Sequence, residues 1–276
     1  MPTNIILDTS CIHAVLAPTL EPTLYAQIPP QSKKCKYFTG QYYRMEFLRR
    51  WIITGIEIYF RAKITSNIAE TLDYFSQNFS QRENKVVIQW AAHYIASIEK
   101  YPPQEPIERF GWVVFTLANA YDIKFMNNYV PVKTGCKKGE VQIDLESPTI
   151  EKALRDFYER FIADDHKCKL DALLKVDKKC PSLHKIIKAS KDDVPAKAQK
   201  AFLNLQKQIR WFIEKNQVPD CDNCKKIGDI LITLEQPRNT VLYHVDNSFL
   251  ALCPLLRREQ KQLDSILKTS PKPPLN

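Results

Sequence analysis

The chain has 276 residues and a formal net charge of +9, with 44% apolar and 26% charged residues. These proportions are typical of a folded globular protein and exclude an intrinsically disordered chain. Its 6 glycines argue against a collagen-like repeat or a glycine-rich nucleotide loop. The length accommodates one elaborated domain or two smaller ones, and the basic excess permits a polyanionic partner.

The cellular location is predicted from missing signals. The first apolar run is short, lacks a preceding basic region and is stopped by Asp8, so it does not resemble a secretory signal. The longer apolar stretches are interrupted by charges or are too brief to cross a bilayer. Without an export signal, 8 cysteines favour reduced thiols and metal ligands over disulfides. We therefore expect a cytoplasmic protein without a membrane segment.

The first part of the chain predicts one strand and one long helix. Residues 4–7 are apolar and end at Asp8, which is typical of a buried parallel strand with a polar carboxyl end. A loop rich in proline follows. Apolar side chains then recur at helical spacing over residues 39–62.

The middle of the chain is predicted to be mainly helical, and the end returns to α/β character. Most of the net positive charge lies between residues 160 and 215. Near the end we expect a helix over 227–235, a strand over 240–245, a closing helix over 250–267 and a flexible tail over 266–276. The predicted helices of the middle cover 66–79, 85–99, 150–163 and 198–215, and another apolar stretch covers 111–126.

Four acidic residues stand where predicted elements begin or end. Asp8 and Asp246 each follow a predicted strand, Glu46 lies early in the first long helix, and Asp229 opens a helix directly after a glycine. If the two strands are parallel neighbours, both aspartates emerge at the same edge of the sheet. Such oxygen ligands suit Mg²⁺ or Mn²⁺ and the metal-assisted hydrolysis of a phosphodiester bond. Alternatively, Asp229 simply caps its helix.

The segments around these acids resemble a known family. IILDTSCI, YYRMEFLRRW, IGDILI and LYHVDNSFLALC resemble, in this order, the four signatures of PIN-domain nucleases. In that family an Asp ends the first strand, a Glu follows in an early helix, an Asp begins a later helix, and an Asp ends the next strand. The resemblance assigns catalysis and metal binding to Asp8, Glu46, Asp229 and Asp246, and a supporting hydroxyl to Ser10.

The resemblance also implies a fold and an activity. It implies an α/β fold: a PIN-like three-layer α/β/α core with a central parallel sheet, formed by residues 1–60 and 220–265. Residues 61–219 would hold the remaining core helices and a large, basic helical insertion. The expected activity is that of an endoribonuclease that uses Mg²⁺ or Mn²⁺. A toxin, a phage-defence effector and an RNA-processing enzyme all fit, and a neutralising or regulatory protein and a homodimer are further expectations.

His244 stands where the family usually has a small residue or Thr, two positions before the last acid. Its side chain either approaches the acidic site or lies on a face of the sheet, hydrogen-bonded to backbone.

The cysteines suggest a structural zinc site. Cys221 and Cys224 have the C-x₂-C spacing that lets two thiolates share one tetrahedral zinc ion, and Cys168 and Cys180 are the best candidates for the other ligands. His166, His184 and Cys136 are alternatives, and unmetallated thiols are equally compatible with the pattern. The remaining cysteines, which flank apolar runs, are predicted to be core residues: Cys11, Cys35 and Cys253.

Basic residues near the acids are candidates for contacts with RNA phosphates. Arg44, Arg49 and Arg50 flank Glu46, and Lys225 and Lys226 precede Asp229. The lysine-rich insertion either extends this surface or is simply solvated. The alternative function is a non-catalytic scaffold with a PIN-like core and structural zinc that binds RNA or a protein.

Overall fold

The structure is a computed structural model that describes residues 3–98, 105–126, 141–163, 181–215 and 228–264. The chain forms two compact units, Met1–Phe38 with Lys169–Asn276, and Thr39–Cys168. This division differs from the predicted ranges. The long helix after residue 39 belongs to the second unit, whereas residues 181–215, predicted to lie in an insertion, belong to the first.

The first unit contains a sheet of four parallel strands: β1 (Thr3–Leu7), β2 (Cys35–Phe38), β3 (Thr240–His244) and β4 (Glu259–Gln262). Their order is β2-β1-β3-β4, and β1 pairs with both β2 and β3, with Leu7 opposite Tyr243. The predicted α/β class with a parallel sheet is therefore confirmed.

Burial explains which strands occupy the centre. Ile5, Ile6 and Leu7 of β1 are at most 1% exposed, as expected for a strand covered on both faces. The sequence of β4, by contrast, is entirely polar and alternates between exposed and half-buried positions at the edge of the sheet.

Twelve α-helices have bounds within the described ranges. A π-helical turn, Leu48–Ile53, joins the third helix to the fourth, and two 3₁₀ turns, Lys191–Asp193 and Ala196–Ala198, precede the tenth. The helices are α1 (Thr9–Leu16), α2 (Pro22–Ala26), α3 (Gln41–Phe47), α4 (Thr54–Thr65), α5 (Ile68–Asn78), α6 (Gln81–Ser97), α7 (Pro106–Phe125), α8 (Ile150–Ala163), α9 (Pro181–Lys188), α10 (Gln199–Lys215), α11 (Gly228–Glu235) and α12 (Ser248–Leu255).

In the first unit, helices α1 and α12 lie next to the sheet. Helix α1 packs against β1 and β3, and α12 packs against β4. Helices α9, α10 and α11 also pack against α12. Helices from the basic segment therefore belong to the same body as the strands.

In the second unit, α4 packs against α5, α6 and α7, and α8 packs against α7. Trp51 and Trp90 are at most 2% exposed, and the indole Nε1 of Trp90 donates to the Trp51 carbonyl oxygen at 3.0 Å. Within the described ranges, no helix is both long and apolar enough to span a membrane.

The chain after residue 250 corrects one prediction. The expected closing helix over 250–267 ends at Leu255, Arg257 has a left-handed φ of 55°, and β4 follows. Proline-rich residues predicted as a loop include α2 and β2. The tail beyond residue 264 lies outside the described residues.

Candidate active site

The order of the strands makes the boundary between β1 and β3 a topological switch point, where open parallel sheets generally form a crevice. Chain continuation leads from β1 to β2 on one side, whereas β3 is followed by β4 on the other side. In open parallel sheets, ligands bind at such a switch point, beyond the carboxyl ends of the two strands. Asp8 directly follows β1 and Asp246 lies two residues after β3. The crevice therefore carries an acidic residue from each of its two strands.

The carboxylate of Asp8 is buried and oriented by the backbone. Asp8 is 3% exposed and caps α1, because its Oδ1 accepts a hydrogen bond from the Cys11 amide at 2.8 Å. Its Oδ2 accepts from the amide of Val245 at 3.0 Å. The thiol of Cys11 also contacts this carboxylate. One bond thus fixes Asp8 to its own helix and the other to the segment that carries Asp246.

The electrostatic environment of Asp8 is unfavourable to its charge. Burial, and next the negative charge of Asp246, raise the pKa of Asp8 from 3.8 to about 6, although the Cys11 and Val245 amides act in the opposite direction. Burial also raises the pKa of the Cys11 thiol, and the charges of Asp8 and Asp246 add to this effect. The two carboxylates therefore interact, and a cation beside them would relieve their repulsion.

A third aspartate is linked to the same loop. Asp229 is the second residue of α11 and is half-buried. Its Oδ2 accepts a hydrogen bond from the Ser248 hydroxyl at 2.5 Å. Ser248 is 6% exposed and stands two residues after Asp246. Ser248 was not predicted from the sequence, since a hydroxyl at the start of an apolar helix is ordinarily interpreted as part of the helix cap.

The other side of this loop is held by β4. The side-chain amide Nε2 of Gln262 donates to Oδ1 of Asn247 at 2.8 Å. Lys197 Nζ in turn donates to Oε1 of Gln262 at 2.6 Å. Lys197 lies in the second 3₁₀ turn. A lysine of the basic segment is thereby connected, through one glutamine, to the residue next to Asp246.

His244 has a side-chain partner. Its Nε2 lies 2.7 Å from Oε1 of Gln260, its ring packs at a tilt against Phe249, and the residue is fully buried. Burial lowers the pKa of His244. Hydrogen bonds with the Gln260 side chain and the Asp246 backbone act in the opposite direction.

Glu46 lies on α3, in the second unit, where it is half-buried. Its position beside the three aspartates therefore stays a prediction.

Ser10 was predicted to support Asp8 through its hydroxyl. Ser10 is half-buried in α1. Among the described residues, the donors to the Asp8 carboxylate are the amides of Cys11 and Val245 and the thiol of Cys11. These donors orient Asp8, and the supporting role that the resemblance assigned to the Ser10 hydroxyl stays a prediction.

The prediction that Arg44 contacts RNA is corrected. Arg44 is 1% exposed, and its guanidinium donates to both carboxylate oxygens of Asp122 and to the carbonyl oxygen of Val141. It is a core residue of the second unit because an internal carboxylate pairs with its charge. Arg49 and Arg50, in the π-helical turn, are half-buried.

The predicted zinc site falls mostly outside the described residues. The four predicted thiol ligands lie there: Cys168, Cys180, Cys221 and Cys224. So do the alternative ligands Cys136 and His166. Lys225 and Lys226, predicted to contact RNA, also lie outside the described residues. The backbone of His184 is part of α9. The other three cysteines are buried free thiols, as predicted: Cys11, Cys35 and Cys253.

The described acidic residues do not form a complete metal centre. Over the described ranges, no group of three or more His, Cys, Asp or Glu side chains is arranged to hold a metal ion. The chemistry of the donors nevertheless fits a hard divalent cation, because Asp8 and Asp246 offer carboxylate oxygens and interact electrostatically.

Comparisons with protein-family models, with curated proteins and with solved structures found no match for this chain.

Proposed function

We propose that the sheet unit is a PIN-like, three-layer nuclease core that hydrolyses RNA phosphodiester bonds with the help of Mg²⁺ or Mn²⁺. The observation that carries the proposal is the pair of carboxylates at the switch point between β1 and β3. Burial and, next, the charge of Asp246 raise the pKa of Asp8 to about 6. Strongly perturbed acids in a crevice are typical of functional sites.

The acidic residues would have different roles in binding the cation. Asp8, held by two backbone amides, and Asp246 would bind the cation directly. Asp229, bonded to the Asp246 loop through Ser248, would be a further ligand. The role of Glu46 as a ligand rests on the resemblance of its motif to PIN-domain nucleases alone. A bound divalent cation supplies Lewis acidity, which activates water and neutralises charge on the phosphate.

Charge and chemistry favour a polyanionic substrate. The chain has a net charge of +9, and Lys197 lies close to the loop that carries Asp246. Such cations hold flanking phosphates in nucleic-acid complexes. The choice of RNA over DNA rests on the resemblance of the four acidic motifs to PIN-domain nucleases.

The test is cleavage of a fluorescently labelled single-stranded RNA by the purified full chain. We expect cleavage with Mn²⁺ that stops with chelator and is lost in Asp246→Asn and Asp229→Asn. The matched control is Asp73→Asn, which makes the same substitution at an exposed position of α5 in the other unit and should cleave at the parent's rate.

The same assay also tests the alternative function, a non-catalytic scaffold. RNA that is bound but left intact at every Mn²⁺ concentration would contradict catalysis and support a scaffold. Cleavage that persists in Asp246→Asn would also contradict the proposal.

A further inference from the structure

The hydroxyl of Ser248, at the start of α12, forms a hydrogen bond with a different helix. Ser248 is the first residue of α12, and its N-terminal neighbour Asn247 makes no side-chain cap. Instead, Asn247 accepts from Gln262 on β4, and Ser248 donates to Oδ2 of Asp229 on α11. Both side chains therefore fasten the loop to other elements of the sheet unit.

The residues on both sides of Asp246 in the sequence bond to the other two candidate aspartates. Val245, which precedes it, donates its amide to Asp8 at 3.0 Å. Ser248, two residues after it, holds the Asp229 carboxylate at 2.5 Å. The four-residue segment 245–248 thus joins the three candidate aspartates, Asp8, Asp229 and Asp246.

We infer that Ser248 is a positioning residue for the metal site: its hydroxyl sets the orientation of the Asp229 carboxylate and couples it to the Asp246 loop. The inference rests on the proposed function. Ser248 is 6% exposed, so water does not readily replace its hydroxyl. Bonds between a hydroxyl and a carboxylate are strengthened by the charge. Residues that orient metal ligands in this way commonly change metal affinity about 10- to 100-fold when they are removed.

The experiment titrates metal-free protein with Mn²⁺ and follows free Mn²⁺ by electron paramagnetic resonance. Ser248→Ala should bind Mn²⁺ about 10- to 100-fold more weakly than the parent. The matched control is Ser97→Ala, since Ser97 is also buried in a helix and donates to a backbone carbonyl, that of Tyr94, at 2.6 Å. This control should bind Mn²⁺ as the parent does.

A second pair of variants separates positioning from folding. Thr and Val have nearly the same shape, and only Thr retains a hydroxyl, so Ser248→Thr should keep most of the Mn²⁺ affinity and Ser248→Val should lose it. In the RNA assay, Ser248→Val should need more Mn²⁺ for half-maximal cleavage, whereas its rate at saturating Mn²⁺ should stay closer to the parent's.

The outcomes distinguish the two proposals. A parent that binds Mn²⁺ and cleaves RNA, together with equal Mn²⁺ affinities for Ser248→Thr and Ser248→Val, overturns the positioning role and leaves the nuclease proposal standing. A parent that neither binds Mn²⁺ nor cleaves RNA overturns the proposed function and the positioning role together.

Discussion

The backbone amide of Val245 donates to Oδ2 of Asp8 at 3.0 Å, although the two residues lie 237 positions apart in the chain. This bond continues the pairing of β1 with β3, in which Leu7 stands opposite Tyr243. The register of two parallel strands thereby brings the segment that carries Asp246 to Asp8. This pairing contributes to the raised pKa of Asp8, whose causes are burial and, next, the charge of Asp246.

The first prediction concerns Asp8→Asn in the metal-free protein. The folded state holds the proton of Asp8 more tightly than the unfolded state, because the pKa is about 6 instead of 3.8. The parent therefore loses about 3 kcal/mol of unfolding free energy from this group as the pH rises from about 3 to about 7. The stability of Asp8→Asn relative to the parent should rise by that amount. Urea unfolding with chelator at several pH values measures the difference.

Two other effects on stability do not alter how the difference between Asp8→Asn and the parent varies with pH. An Asn side chain offers one acceptor oxygen to two amides, which costs about 1–3 kcal/mol at every pH. The lowered pKa of buried His244 makes stability rise as the pH increases, but it does so in both proteins. Asp73→Asn serves as the control. If the difference in unfolding free energy between Asp8→Asn and the parent does not vary with pH, the raised pKa of Asp8 is contradicted.

The second prediction concerns the metal. A cation competes with the proton on Asp8, so Mn²⁺ should stabilise the protein less once the pH falls below about 6. We expect saturating Mn²⁺ to raise the Tm clearly at about pH 7.5 and much less at about pH 5. Thermal unfolding with and without Mn²⁺ measures the shift. An equal shift at both pH values would point to binding elsewhere.

The third prediction concerns Arg44. Replacing Arg44 by Leu leaves the Asp122 carboxylate without the guanidinium that it contacts at 2.8 and 3.0 Å. Loss of one partner of a buried pair should lower the free energy of unfolding by about 3–5 kcal/mol. Arg49→Leu, at a half-buried position, should change it by less than about 1 kcal/mol. Urea unfolding compares them, and equal stabilities would contradict the assignment of Arg44 to the core.

The strands that form the crevice were predictable from sequence, whereas the outer strands were not. Strand β1 is a continuous apolar run and β3 is rich in β-prone residues, and an acid follows each. Strand β4 consists of Glu, Gln, Lys and Gln, so its sequence has no apolar pattern; it becomes a strand by pairing with β3. Strand β2 is only four residues long and follows a proline-rich loop.

The contacts of the candidate site depend on the tertiary fold. The position of Asp8 at a strand end followed from local pattern. That Ser248 reaches Asp229 required knowledge of how α11 and α12 pack. The same limitation explains Arg44, since its proximity to Glu46 in the chain suggested a surface role and only the fold brings Asp122 to it.

The most direct test of the central claim is X-ray diffraction from crystals soaked in Mn²⁺, recorded where manganese scatters anomalously. Our account predicts an anomalous peak about 2.0–2.6 Å from carboxylate oxygens of Asp8 and Asp246. Crystals that hold saturating Mn²⁺ elsewhere, with no peak beside these two aspartates, would contradict it.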